Sequence, residues 1–427
     1  MLKGTDWARV VARRVQLYGL AALAAASVAG ASPAAAQSRE CSQQVGLERS
    51  EGLLPVICLP GTSIDLSEIP PAVGEVIKGN PEAGVGLLLQ QAAGLTQALS
   101  GAVAGISGQV AGLALDLGLA DVKGGGPGGG LVTAPLTAGA PGQELSLFAV
   151  SGVTKLSHDG YQVSASLPGG SGRTPEFDET DVGLTIGLRW DASQHFGLGR
   201  DSLTFGVIAN YTHTDIDLGT NDVLAQFFDK TGSADIDSWS VGAFSLLTDG
   251  RKYGLLTVTG TFGTPSTQNF VLGSTADYDT AGVAVSAMSG LLIPMGETTL
   301  DLRGGFTFIR AGADDYADSA GVRFTDAELE EISGTVSARL FRVVKLEDGA
   351  FRPFIQGGLT QRLHYRNEVE VEGVNFSFDD ADTSVFARAG VDFNVDRFLQ
   401  AYVAVRGDAS ESVEAVSAQV GLTFRLD

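Results

Sequence analysis

From about residue 143 to the carboxy terminus, apolar side chains recur at every second position, and this period constrains the fold more than any other feature. Val182, Leu184, Ile186, Leu188 and Trp190 alternate with Gly183, Thr185, Gly187 and Arg189. Leu203, Phe205, Val207, Ala209 and Tyr211 alternate with Thr204, Gly206, Ile208, Asn210 and Thr212. The last stretch sets Val416, Ala418, Val420, Leu422, Phe424 and Leu426 opposite Ser417, Gln419, Gly421, Thr423 and Arg425. Successive side chains of a β-strand leave opposite faces, so each stretch reads as a strand with one oily side and one polar side.

One oily face per strand would also suit a sandwich of two sheets in water. Two features separate the cases. The polar faces are rich in Gly and Thr with isolated Arg and Asp, which suits a narrow lumen better than open solvent. The connections also alternate in length, as those of outer-membrane barrels do. Twelve strands are expected, near 143–152, 178–191, 202–216, 233–247, 251–264, 275–291, 297–310, 326–343, 350–364, 382–395, 398–407 and 412–426. Short turns at 248–250, 292–297, 344–350 and 396–397, with a longer link at 192–201, fall on the periplasmic side. Long loops near 153–177, 217–232, 265–274, 311–325 and 365–381 fall outside, with a short one at 408–411. An even count closes the sheet and leaves no unpaired edge in lipid. The expected fold class is therefore mainly β: a 12-stranded antiparallel transmembrane β-barrel preceded by a helical, Gly/Ala-rich amino-terminal region.

Composition agrees. The 427 residues include 57 Gly, and only 18% are charged. A formal net charge of −22 argues against nucleic acid as a partner, because phosphate binding needs basic surface.

Ahead of the barrel, residues 1–36 read as a signal peptide: a basic start with Lys3, Arg9, Arg13 and Arg14, an apolar run from Leu17 to Ala31, and Ala34-Ala35-Ala36 before Gln37. Residues 37–80 are polar and punctuated by proline. They carry Cys41 and Cys58, which read as a disulfide in an exported chain, two free thiols being the other reading. Residues 81–120 read as a long helix, with Asn80 as cap and Pro81 in the first turn. Its stripe of Leu88, Ala92, Leu95, Leu99, Ala102, Ile106, Val110, Leu113 and Leu117 carries no charge from Val85 to Leu115. Repeated glycines lower its own propensity, so it needs a partner surface: the lumen, another helix, or a displayed position. Residues 121–142, with the run Gly124–Gly130 around Pro127, are a flexible linker and lack the Lys-Ser/Thr of a phosphate loop.

Catalytic chemistry is not written into the motifs. His158, His195, His213 and His364 show no metal-ligand spacing, and no Gly-x-Ser-x-Gly or His-Glu-x-x-His occurs. No cofactor or metal is expected. His213 or His364, near the outer rim, could serve a Ser–His pair assembled from different strands. Arg406-Gly407-Asp408 matches an adhesive tripeptide, though Arg406 is expected to point inward. Asp314, Asp315, Asp318, Asp379, Asp380 and Asp382 are expected to form a solvated acidic rim, bridging by calcium or lipid-linked cations being the other reading. The better functional candidates are inward-facing charges: Arg189, Asp301, Arg303, Arg339, Arg388, Asp392, Arg406 and Arg425. Charge in a lumen must be paired or hydrated, so these side chains pair across it, line an aqueous path, or grip a threaded helix.

On these grounds residues 143–427 resemble the translocator β-domains of autotransporters, the type V secretion class. The resemblance rests on a twelve-strand barrel at the extreme carboxy terminus, after a signal peptide and a more polar region. Local echoes are Phe351-Arg352-Pro353-Phe354-Ile355-Gln356-Gly357-Gly358-Leu359 and the ending Leu422-Thr423-Phe424-Arg425-Leu426. The resemblance implies an outer-membrane location among lipid and lipopolysaccharide. It also implies a helix in the pore, a passenger carried to the surface, and biogenesis through periplasmic chaperones and the barrel-assembly machinery. A monomeric barrel is expected. Two departures stand out: the chain ends on Asp427 rather than an aromatic residue, and residues 37–120 are far shorter than a β-helical passenger. Two functions follow as expectations: a non-enzymatic barrel that exposes or exports its short amino-terminal segment, or a porin-like or structural barrel with an internal helical plug.

Overall fold

A computed structural model describes residues 46–48, 56–59, 62–65, 145–165, 171–192, 202–220, 229–249, 251–346, 349–394 and 399–426. The expected helix at 81–120, the signal peptide, the linker and Cys41 lie outside the described residues. Between residues 46 and 65, where only polar chain was expected, Gly46–Glu48, Val56–Leu59 and Thr62–Asp65 form a three-stranded antiparallel sheet. Cys58 stands in its central strand, opposite Gly46 on one side and Ser63 on the other.

The rest of the described residues form a closed antiparallel barrel of twelve principal strands. These are β1 Leu145–His158, β2 Phe177–Asp191, β3 Ser202–Leu218, β4 Gly232–Thr248, β5 Lys252–Asn269 and β6 Thr280–Met295. They continue as β7 Thr298–Ala313, β8 Arg323–Arg342, β9 Gly349–Val371, β10 Thr383–Asn394, β11 Leu399–Ser410 and β12 Val413–Leu426. Each strand pairs with its neighbours in sequence, and β12 closes on β1 from Leu426 opposite Leu145 to Val413 opposite His158. Thr, Val and Phe recur along these strands, where branched and aromatic side chains fit a pleated, half-covered surface, together with many Leu, Gly and Ala.

Burial in the barrel is inverted relative to a water-soluble sheet protein. Val416, Phe306, Trp239 and Ile355 are 66%, 62%, 62% and 61% exposed, whereas Asp301 and Arg339 are 0% and 2% exposed. Two stacked sheets in water would do the reverse. In hydrocarbon the arrangement is stable, since oily side chains meet lipid and every backbone polar group is paired around the ring.

The inversion has a limit, which the sequence pattern did not reveal. On β3 the exposed face changes from Val207 to His213, Asp215 and Asp217, while the buried face changes from Asn210 and Thr214 to Ile216 and Leu218. On β4 the buried face changes from Ser240 and Ser238 to Ile236 and Ala234, and the exposed face from Val241 and Trp239 to Asp237 and Asp235. Each side chain stays in phase; the polarity of the two faces exchanges. Below this level the barrel is oily outside, and its inner face mixes buried Ser, Thr, Arg and Asp with an apolar cluster that includes Phe148, Phe244 and Leu255. Above it, the barrel has an ordinary apolar core that includes Phe177, Ile216, Ile236, Phe324, Val371 and Phe376.

That upper storey corrects the expected long outer loops. β9 continues through 365–371 and turns at Glu372 and Gly373, both at positive φ, into the short strand Val374–Asp379. β5 continues to Asn269, and Ser274–Asp277 pairs back along it. Gln162–Ala165 pairs with Phe376–Asp379, so a second circuit bridges above the shorter hairpin of β11 and β12. Apolar side chains in these segments sit on the inner face, which breaks the oily-outside alternation of the lower strands and makes the segments resemble loops in the sequence. One irregularity keeps β9 in phase: Ser333 faces Arg362 and Ile332 faces His364, leaving Leu363 as a bulge.

Candidate functional site in the barrel interior

Among the described residues, the interior includes two charged constellations at different heights. The first lies near the end where the chain enters β1 and leaves β12. Arg352 on β9 and Asp392 on β10 are register partners, and Arg352 Nε donates to Asp392 Oδ2 at 2.8 Å. Arg339 on β8 reaches the same oxygen at 3.5 Å, and its guanidinium lies 3.7 Å from the centre of the Phe354 ring. Arg388 shares that ring at 5.6 Å and donates to the Tyr402 hydroxyl. On β7, Asp301 accepts from Arg303 Nε at 2.7 Å and from the Tyr253 hydroxyl at 2.7 Å. Arg189 donates to Ser146 Oγ at 3.3 Å, across from β2 to β1. Arg425 on β12 is buried as well. On the opposite arc Ile208, Phe244, Leu246, Leu255 and Leu292 form an apolar wall.

Placement follows from strand geometry. Alternation puts Arg352, Phe354 and Gln356 on one side of β9, and antiparallel register puts Asp392 beside Arg352 and Arg388 beside Gln356. Burying these charges is tolerable because carboxylates and aromatic faces adjoin the guanidinium groups.

The second constellation sits at the outer end. Asp380, between Asp379 and β10, accepts from Arg362 Nη1 at 2.7 Å and from Ser412 Oγ, and lies 3.3 Å from His158 Nε2. Arg362 Nε also reaches Glu331 at 3.3 Å. Burial pushes the Asp380 carboxyl up, but His158, Arg362 and Ser412 outweigh it and hold the carboxyl well below the usual carboxylate range. This overturns the solvated acidic rim at two positions. Asp380 is tied into the network, and Asp318 is buried with Oδ1 accepting from the Val322 amide at 2.8 Å.

The remaining sequence candidates fall elsewhere. Arg406 is ion-paired with Asp408 two residues on, so two parts of the adhesive tripeptide bind each other. His364 faces Glu330 at 3.7 Å. His213 stands on the exposed face above the apolar band, with Nδ1 3.0 Å from Asp237 and Nε2 3.4 Å from Asp215. His213, Asp215 and Asp235 each offer a ligand atom, all within 4.8 Å of one another, a spacing a divalent cation could bridge. Linear spacing hid this group because cross-strand register assembles it.

Sequence reasoning passed over Arg352, Arg362, Glu331 and Tyr253. Arg352 was in view only as part of a local echo. Its alternation with Phe351 and Pro353 was the available signal, obscured by the aromatic Phe354 on the same inner face.

With this geometry in hand, comparison with known proteins gives a consistent result. The family model "Autotransporter beta-domain" matches residues 160–406. No curated protein sequence matches. Among solved structures, the β-domain of the Bordetella autotransporter BrkA is 19% identical, with 66% of this chain and 100% of that chain covered at a TM-score of 0.50. The translocator domain of autotransporter NalP from Neisseria meningitidis is 17% identical, covering 76% and 96%, with a TM-score of 0.53. The transport unit of AIDA-I from Escherichia coli is 14% identical, covering 68% and 93%, with a TM-score of 0.51. At these identities the three structures speak for the fold.

Proposed function

Because the chain belongs to the autotransporter β-domain family, whose members are non-catalytic outer-membrane barrels with surface-facing loops, we propose that this barrel exposes or exports its own short amino-terminal segment, residues 37–120. In this reading residues 1–36 are removed as a signal peptide, 121–142 serve as the tether, and Arg189, Asp301, Arg303, Arg339, Arg388, Asp392, Arg406 and Arg425 line the route. Barrel-assembly machinery, periplasmic chaperones and lipopolysaccharide are its partners in biogenesis and residence. The observation that carries the proposal is the closed ring of twelve strands with an oily outer band and a charged interior.

A second reading draws on a separate observation. The uncharged apolar stripe of 81–120 needs a partner surface, and the barrel interior would supply one to that segment as a resident plug. One experiment divides the two. In a background with Cys41 and Cys58 replaced by Ser, Ser100→Cys is probed on whole cells with a membrane-impermeant thiol reagent. Labelling, with protease sensitivity of 37–120, supports display. Protection, with conductance that rises on deleting 81–120, supports the plug.

A further inference from the structure

On the exposed face of β3 and β4, strand register stacks a ladder of cross-strand pairs at the point where the oily band ends. Tyr211 faces Trp239, His213 faces Asp237, Asp215 faces Asp235, and Asp217 faces Ser233. Tyr211 and Trp239 close the oily face, with ring centroids 4.8 Å apart. Above them the ladder carries an internal conflict. Like charges directly opposite each other destabilise an antiparallel pair, and Asp215 and Asp235 are so placed. Lys230 is engaged by Asp217, and among the described residues no cationic group lies within ion-pairing distance of Asp235.

His213 is oriented from outside this pair. Its Nδ1 lies 3.0 Å from Asp237 Oδ1, which also accepts from the Tyr211 hydroxyl at 2.6 Å. An ionised carboxylate only accepts, so Nδ1 carries the hydrogen. Nε2 then faces Asp215 Oδ1 at 3.4 Å, an approach that needs a proton or a metal cation between the two atoms. A proton would give one positive charge against Asp215 and Asp237 and leave Asp235 unserved. A divalent cation serves Nε2 and both opposed carboxylates together. One ligand atom from each of His213, Asp215 and Asp235 lies within 4.8 Å of the other two, and exposed side chains close the remainder by rotation. The Asp237 bond to the far ring nitrogen is the outer support that metal-ligating imidazoles use, since it fixes ring and tautomer.

We propose that His213, Asp215 and Asp235 form a divalent transition-metal site, of the zinc class, that staples β3 to β4 where these strands leave the lipid. Imidazole with two carboxylates suits zinc better than calcium, which takes about six to eight oxygen ligands. Three protein ligands leave a further position open to the outside. Asp237 is a positioning residue.

The test uses the full mature chain, free of affinity tags and folded in detergent, with Cys41 and Cys58 replaced by Ser so that no thiolate competes. Zinc uptake is titrated against a chromogenic chelator at about pH 8, where an ordinary imidazole is neutral. One saturable zinc per barrel is expected, and an excess of calcium leaves it in place. His213→Ala and Asp235→Asn should weaken uptake by roughly a hundredfold, Asp237→Ala by roughly tenfold, and His364→Ala not at all. Zinc should also raise the temperature at which the barrel loses its compact gel mobility, in the parent and in His364→Ala but not in His213→Ala. Compact mobility before heating shows that each variant is folded. No saturable uptake, displacement by calcium, or uptake unchanged in His213→Ala identifies an acidic surface only and overturns the site.

Discussion

Asp380 shows how one residue can be misread from sequence and then explained by its surroundings. In the chain it stands in an acidic run, Asp379-Asp380 and then Asp382, which suggests a solvated tip. In the fold it joins β9 through Arg362, β1 through His158 and the β11–β12 turn through Ser412. Asp380→Asn should cost roughly 3 kcal/mol, since it leaves the largely covered Arg362 with Glu331 as its remaining carboxylate beside the Ala381 carbonyl. Urea unfolding in lipid or detergent measures this. A carboxyl whose folded-state pKa lies below its unfolded value contributes fully above about pH 4, and that contribution is lost as pH falls through the lowered value. The native barrel should therefore lose stability progressively below about pH 4, and Asp380→Asn should flatten that part of the profile. An unchanged acid limb in the variant would remove Asp380 from the account.

At the scale of the element, each strand carries two messages in one alternation, and the exchange of polarity marks where lipid ends. Ile186 lies midway along the oily face of β2, between Val182 and Trp190. Ile186→Arg should destabilise by about 2–4 kcal/mol, as expected for a cation at the bilayer midplane, whereas Asp215→Arg, above the exchange, should cost about 0–1 kcal/mol. Reversible unfolding into liposomes measures both, and equal costs would mean the band is misplaced. The bulge on β9 makes a second prediction. Deleting Leu363 removes only the unpaired residue, keeps Tyr365, Asn367, Val369 and Val371 facing inward, and should leave a folded barrel. Inserting one Ser between Asn367 and Glu368 turns Val369 and Val371 outward and should loosen the outer storey, read as new protease cuts within 365–379.

For the whole molecule, the tryptophans give a direct measure of depth. In a mature chain starting at Gln37 the tryptophans are Trp190 and Trp239, near opposite ends of the oily band. Aromatic residues sit at the two membrane interfaces of such barrels. Quenchers placed at headgroup depth should therefore quench their fluorescence more than quenchers at the bilayer centre. Stronger quenching from the centre would contradict the proposed span. Much of this was legible beforehand. The twelve strands and their order follow from period two, because lipid enforces it on every strand it touches. The outer storey was not legible, because water outside and apolar packing inside reverse the pattern while keeping its period. Nor was the convergence of Arg339 and Arg352 on Asp392, since register decides which residues meet across a ladder.

The sequence alone determined that this chain makes a closed, membrane-facing barrel, because hydrocarbon admits no unpaired backbone and leaves its mark on every second residue. Tertiary structure alone decided where that barrel leaves the membrane and which charges become partners. Both depend on strand register and on the extra residue in β9, and a single-residue shift in pairing would change neighbours without changing composition.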